Sequence, residues 1–538
     1  MSVSGLYPSA AASPARVRNG RATLGSPADE PPIRDIQPSR IRPNIKHYIL
    51  YYHEVIRTMT NAIRQAAERS SKLVEQYLPD AFLFAIILTG VAFALALVSV
   101  APGEGTGVVG HAGNLLLDGW YGGFWNLLSF GMQMTLILMT GYALAQTKPV
   151  DRLLTRLAGV PSTERGAAAM VPVVAAAASF VHWGLGLVVG ALFARKIATE
   201  MRGIDFPIVV AGAYSGFVVW HGGLAGSIPL LLNTEGNFLI EAGILDTTFG
   251  TGGTIFTVAN LVLVVAVGFL FLPALFALMY PSDETKKTPI DPAEFEAATD
   301  GGEQATGGWA STAVPDDASL ATRIEHSLGI GVAIGLVGLL AVALYFVEGI
   351  QNGTMPWNNL NLNIVNFGFL FLGLLFHGTP KAYIEAIVEA VENVWGIILQ
   401  FPFYAGIMGI MAYAPEGSVS LATQIAQGMV AVAPDGTLPA FAFFTAGLVN
   451  FFVPSGGGEW AVIGETLVTA AKASGESIPR VAVAASWGDA WTNMIQPFWA
   501  IPLLSISGLS VRDIMGYCVM VLLGAGVLVA VGISVLPM

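Results

Sequence analysis

One cysteine, Cys518, stands in 538 residues, so the chain can build neither a disulfide framework nor a cysteine-based metal site. Charge is scarce as well. Only 12% of the residues are charged, against roughly a quarter in soluble globular domains, so most of the chain does not face water. The net charge of −12 argues against a nucleic-acid partner. No Gly-x-x-x-x-Gly-Lys-Ser/Thr loop occurs, which argues against ATP hydrolysis, and no His-Glu-x-x-His, which argues against a zincin-type protease. Gly184-Leu185-Gly186 has the letters of a dinucleotide turn but lies inside an apolar run instead of following a soluble strand. No residue is assigned as catalytic or as a metal ligand.

What is present is apolar sequence, 54% of the chain, in runs near the ~20 residues that a bilayer crossing requires. The runs 80–101, 124–146, 167–194, 206–232 and 255–280 precede a polar linker from Pro281 to about Glu325. The runs 326–348, 362–378, 394–415, 438–470, 481–508 and 513–536 follow it. Residues 1–45, rich in Pro, Ser, Ala and Arg, read as a disordered tail, and 53–77 as an interfacial helix. The expected domains are therefore a cytoplasmic tail with its interfacial helix (1–77), a first transmembrane repeat (78–280), a cytoplasmic linker (281–325) and a second repeat (326–538).

The two halves look related. Trp125 and Trp395, Phe130 and Phe401, Tyr142 and Tyr413, Gly184 and Gly456, Gly186 and Gly458, Pro207 and Pro479, and Gly216 and Gly488 are identical pairs spaced 270 to 272 residues apart. Chance would scatter the spacings, so an internal duplication is expected. Loop charges orient it. Arg and Lys in the N-terminal tail, in 147–166, after residue 194 and in the linker mark the cytoplasmic side, while 102–123, 233–254, 349–361 and 416–437 carry none. Lys472 and Arg480 are exceptions that fall outside. Run 167–194 then enters and leaves on one face as a re-entrant hairpin, and 438–470 does so from the other. The result is an all-α integral membrane protein with about nine crossing helices plus two re-entrant hairpins. The expected architecture is that of an inverted-repeat secondary transporter of the inner membrane, N-terminus cytoplasmic and C-terminus outside.

Four polar, Gly-rich stretches interrupt the runs, in equivalent pairs across the repeat: 179–184, 220–227, 450–460 and 488–497. Backbone unwound at membrane depth must line a cavity or be buried in protein, and its freed N–H groups can bind a carboxylate. The candidate substrate-binding residues are Ser179, His182, Trp183, Gly184, Trp220, His221, Gly222, Gly223, Asn450, Pro454, Ser455, Gly456, Gly457, Gly458, Thr492, Asn493 and Gln496. The bland alternative is close helix packing for the glycines and satisfied core positions for the histidines. Three consecutive glycines after Pro454-Ser455 suit a hairpin tip better than a helix interior. Asp489 and Glu459 are acids inside apolar runs and are the candidates for ion coupling. No arginine lies in the four stretches, so an anion would rest on backbone amides and neutral side chains. That suits a small monocarboxylate.

The stretches Phe124-Trp125-Asn126-Leu127-Leu128-Ser129-Phe130-Gly131-Met132-Gln133-Met134, Val453-Pro454-Ser455-Gly456-Gly457-Gly458, Gln496-Pro497-Phe498-Trp499-Ala500 and Val511-Arg512-Asp513-Ile514-Met515-Gly516-Tyr517-Cys518 resemble the bacterial short-chain fatty acid transporter family. The resemblance runs from about Leu78 to the C-terminus. It implies uptake of acetoacetate- and butyrate-like monocarboxylates, and similarity to the wider ion-transporter superfamily implies the two-hairpin inverted fold. The expected function is cation-coupled symport by alternating access, with H+ or Na+ as coupling ion, the lipid bilayer as partner and a homodimer as an open expectation. A carrier of another small organic anion, or a membrane-embedded enzyme or receptor, is the alternative.

The loop charges make a direct prediction. In a Cys518→Ser background, a cysteine placed at Thr248 should react with an impermeant thiol reagent in intact cells, and one at Thr155 should not. External labelling at Thr155 would overturn the hairpin reading of 167–194.

Overall fold

The computed structural model describes residues 81–281, 283–290, 318–392, 394–451, 453–495 and 498–537. The cytoplasmic tail, the interfacial helix 53–77, most of the linker and Gln496 lie outside the described residues. Among the described residues every regular element is helical. Seven stretches are long and apolar enough to cross a membrane: Leu128–Ala145, Glu164–Val181, Phe206–Leu232, Val258–Met279, Leu328–Gln351, Trp395–Ala412 and Val511–Val535.

The spaced identities of the sequence correspond to a repeated order of elements. Leu128–Ala145 and Trp395–Ala412 are each followed by a short helix, Lys148–Ala158 or Leu421–Val432. Next comes a hairpin, with arms Glu164–Val181 and Trp183–Glu200 in the first half and Leu438–Val449 and Gly456–Ser474 in the second. A broken helix follows each hairpin. The first runs Phe206–Ser215, a 3-10 stretch Gly216–Gly222, then Ser227–Leu232. The second runs Ile478–Thr492, then Ala500–Ser507. Each half closes on a long apolar stretch, Val258–Met279 or Val511–Val535.

Local chemistry sets the ends. Thr163 caps the first hairpin by accepting from Gly166 N–H, and Asp205 caps the first broken helix by accepting from Ile208 N–H. Gly475, at φ +73°, ends the second hairpin in the left-handed conformation that a side chain disfavours. The described end of the linker is tied down. Thr288 O accepts from Phe206 N–H at 3.1 Å, and Lys287 pairs with Glu164 and Glu284.

The two exceptions to the loop-charge rule have structural partners. Lys472 Nζ donates to Ile244 O at 2.6 Å and Arg480 Nη2 to Ile533 O at 3.1 Å. Both cations serve as ties within the fold. Segment 102–123, read from the sequence as a plain outer loop, contains the helix Val108–Asn114 and a π-helical stretch Leu115–Tyr121. The π-helical stretch packs on Trp395–Ala412 because Gly119 and Gly123 meet Gly409 with no side chain between them. Helix Leu328–Gln351 turns Gly331, Gly335 and Gly338 inward, toward Gly378, Leu375 and Phe371. Most of its other face is exposed and apolar.

A Cβ at Gly409 would lie 2.8 Å from the Gly123 Cα. Gly409→Val should therefore cost about 1–3 kcal/mol by overpacking and lower the melting temperature in detergent. An unchanged melting temperature would mean that this contact does not hold the two segments together.

Candidate functional site

The site is assembled where the second hairpin meets the first broken helix. The second hairpin reverses between Val449 and Gly456. Ser455 is the cap of the return arm, accepting from Gly458 N–H at 3.3 Å. Gly456, Gly457 and Gly458 occupy the first turn of that arm, and none has a positive φ. This corrects the expectation of a glycine tip outside regular helix. The glycines are there for close approach: a Cβ on Gly456 would crowd His221, on Gly457 the Phe130 ring, and on Gly458 the Tyr404 ring.

His221 is the penultimate residue of the 3-10 stretch of the first broken helix and is fully buried. Its Nδ1 lies 3.0 Å from Asp489 Oδ2, and its Nε2 lies 3.0 Å from Ser227 Oγ and accepts from Ile228 N–H at 3.2 Å. The Trp220 indole stacks on the imidazole, with centroids 4.0 Å apart and planes 9° from parallel. Trp220 Nε1 donates to Asn493 Oδ1 at 3.0 Å, so the two broken helices are joined through their breaks. Asn450 Nδ2 donates to Asp489 O at 3.0 Å and to Thr492 Oγ1 at 2.9 Å, tying the second hairpin to the second broken helix.

Other predicted residues serve different ends. Gly223 lets the unwound chain press on Phe180 O, next to the bond from Leu224 N–H to that same oxygen at 2.7 Å. Gly222 faces Asn260. In the first hairpin, Ser179 packs against Gly186, and Gly184 faces the Leu138 backbone, 3.2 Å from a would-be Cβ. His182 caps the return arm through Leu185 N–H at 3.3 Å, and its ring lies against Phe369. Neither Ser179, His182 nor Gly184 lines the cavity described below. This corrects their expected role at a shared central site, and the reason is packing of the hairpin on itself and on helix 128–145.

Three residues outside the predicted binding set help to build the site. Asn260 donates to Gly222 O and Ile255 O, both at 2.8 Å, and accepts from Trp487 Nε1 at 2.9 Å. Tyr214 donates to Asn493 O at 2.6 Å. Ser227 joins His221 to the cavity. A lone asparagine in the apolar run 255–280 was the available signal for the first.

The cavity lies among Trp183, Phe217, Trp220, Ser227, Ser455, Gly456, Gly457 and Trp499 and encloses about 10 Å³, room for about one water molecule. Two of its walls, Trp183 and Trp499, have buried indole N–H groups with no hydrogen-bond partner. A larger polar basin of about 780 Å³ lies elsewhere, between segments 233–248 and 341–367, and is rich in asparagine. The chemistry converges on the smaller one.

Broken helices, intramembrane acids and apolar crossings define a multi-pass membrane protein. The family model for the short-chain fatty acid transporters matches residues 62–536, and the chain belongs to that family. A candidate short-chain fatty acid transporter of Escherichia coli (strain K12) is 38% identical over 465 residues, 86% of this chain and 98% of its own. Another from Haemophilus influenzae (strain ATCC 51907 / DSM 11121 / KW20 / Rd) is 35% identical over 483 residues, 88% and 99%. A crystal structure of the Alcanivorax borkumensis YdaH transporter matches with a TM-score of 0.49 and 16% identity, over 84% of this chain and 98% of that one.

Asn450→Ala should lower stability by about 1–2 kcal/mol, read as melting temperature. Adding Thr492→Val should cost less than its single-mutant loss, because the two side chains share one bond. Strictly additive losses would show that the bond contributes nothing.

Proposed function

We propose that this protein carries short-chain fatty acids, monocarboxylates such as butyrate and acetoacetate, across the membrane by cation-coupled symport with alternating access. The observation that carries the reading is the pair of unpartnered indole N–H groups at the cavity. An indole N–H can only donate, so its missing partner is an acceptor, and a carboxylate supplies one. Ser455, Ser227 and the glycine turn offer further polar contact on one side. Phe217, Met134, Ile397 and the tryptophan rings give an apolar wall for a short alkyl chain. No lysine or arginine lines the cavity, which fits a weakly held single charge.

A one-water cavity is an occluded state. Substrate enters only when the second hairpin parts from the first broken helix and from helix 128–145, against which Gly456 and Gly457 pack at His221 and Phe130. On the loop charges, the N-terminus is cytoplasmic, the C-terminus is outside, and the asparagine-rich basin faces outward as the entrance.

Purified protein in liposomes should show saturable counterflow of labelled acetoacetate. Trp183→Phe and Trp499→Phe keep an aromatic ring and lose the N–H, so each should weaken the apparent affinity about tenfold, the effect of one hydrogen bond to a charged group. Unchanged affinity in both variants would place the carboxylate elsewhere.

A further inference from the structure

We propose that Glu459, Asp489 and His221 form a proton-binding site, and that the ion coupled to each carboxylate is H+, taken up at this pair of acids. The inference rests on the transport reading above. Glu459 comes from the first turn of the second hairpin's return arm and Asp489 from helix 478–492, and both are fully buried. The two helices pack against each other, and Glu459 stands one turn on from Gly456, which packs on His221, the partner of Asp489. No donor reaches either oxygen of Glu459 or Oδ1 of Asp489. The fourth oxygen, Asp489 Oδ2, is taken by His221 Nδ1.

The tautomer of His221 follows from its neighbours. A backbone N–H only donates, so the Ile228 N–H directed at Nε2 leaves the lone pair there and the hydrogen on Nδ1. The imidazole is then neutral. Two carboxyl groups remain with no cation beside them. Tyr214, which donates to Asn493 O beyond Asp489 on the same chain segment, brings no positive charge. Tyr404, against Gly458, is neutral too. Lys472 and Arg480, on the same two helices, are held at the far ends by Ile244 O and Ile533 O. Two ionised carboxylates in such a place are very costly. One proton shared between them supplies the missing hydrogen bond and removes half the charge, as in other buried acid pairs. Among the described residues no group of three or more His, Cys, Asp and Glu is arranged to hold a metal ion.

The site communicates with the cavity through one side chain. His221 contacts Asp489 on one edge and Ser227 on the other, and Ser227 lines the cavity. With both acids ionised, a substrate carboxylate meets like charge through the imidazole. With one proton on the pair, that repulsion falls. Substrate anion and proton therefore bind together, cross together and are released together. No bond of the substrate is made or broken.

The test uses the full chain in sodium-free proteoliposomes, with labelled acetoacetate as probe and protein-free vesicles subtracted for leak. An interior one pH unit more alkaline should drive about tenfold accumulation for a one-to-one symporter. Glu459→Gln should lose the accumulation. An infrared spectrum of the wild type at working pH should show a buried carboxylic-acid C=O band that Glu459→Gln or Asp489→Asn removes, a readout independent of transport. Accumulation that follows a sodium gradient and ignores pH overturns the proposal, as does wild-type accumulation in Glu459→Gln or absence of the carboxylic-acid band. Exchange without pH drive sinks this inference alone. Absence of any exchange in the wild type sinks the transport reading and this inference with it.

Discussion

Everything in this structure answers to one constraint: a helix interrupted inside a membrane exposes backbone groups that lipid cannot satisfy. The chain meets it with side-chain amides placed on neighbouring elements. Asn260 fills the carbonyl of Gly222 at the first break, Asn450 fills that of Asp489 before the second, and Tyr214 takes that of Asn493 within it. Each of these donors comes from outside the break that it serves. The breaks are consequently joints between helices, and the site is built at the joints.

The same constraint explains why small residues cluster there. Where a broken helix crosses a hairpin, as at Gly223 on Phe180 O or Gly488 on Phe443 O, the backbones are too close for a side chain. The glycine-rich stretches thus combine close approach with backbone polarity. Their conformations are mostly ordinary; the left-handed glycines, such as Gly475 and Gly508, sit at helix ends.

The helical class, the two broken helices and the family were legible in the sequence. They depend on local signals: run length, glycine and proline inside apolar runs, and identities at a fixed spacing. The pairing of Asp489 with His221 was not legible, because it joins residues from different halves. Nor was the role of Asn260, a single amide without a motif. Sequence symmetry also suggested more symmetry in the site than the structure has. Gly184 and Gly456 occupy equivalent positions, yet one faces the Leu138 backbone and the other the His221 ring. The two halves share an order of elements while the chemistry at matching positions differs.

The glycine-faced helix Leu328–Gln351 bears on the bilayer itself. Its 24 residues, at about 1.5 Å each, make a rod longer than the roughly 30 Å hydrocarbon core. Such a rod must lean, or thicken the lipid around it. The glycine stripe fixes where its partner helix can touch, and so fixes the direction of the lean. That partner is Leu362–His377, the helix that also carries Phe369 to His182 and Asn366 to Gln133 O, so the lean of the rod is set against an element tied into the first half of the chain.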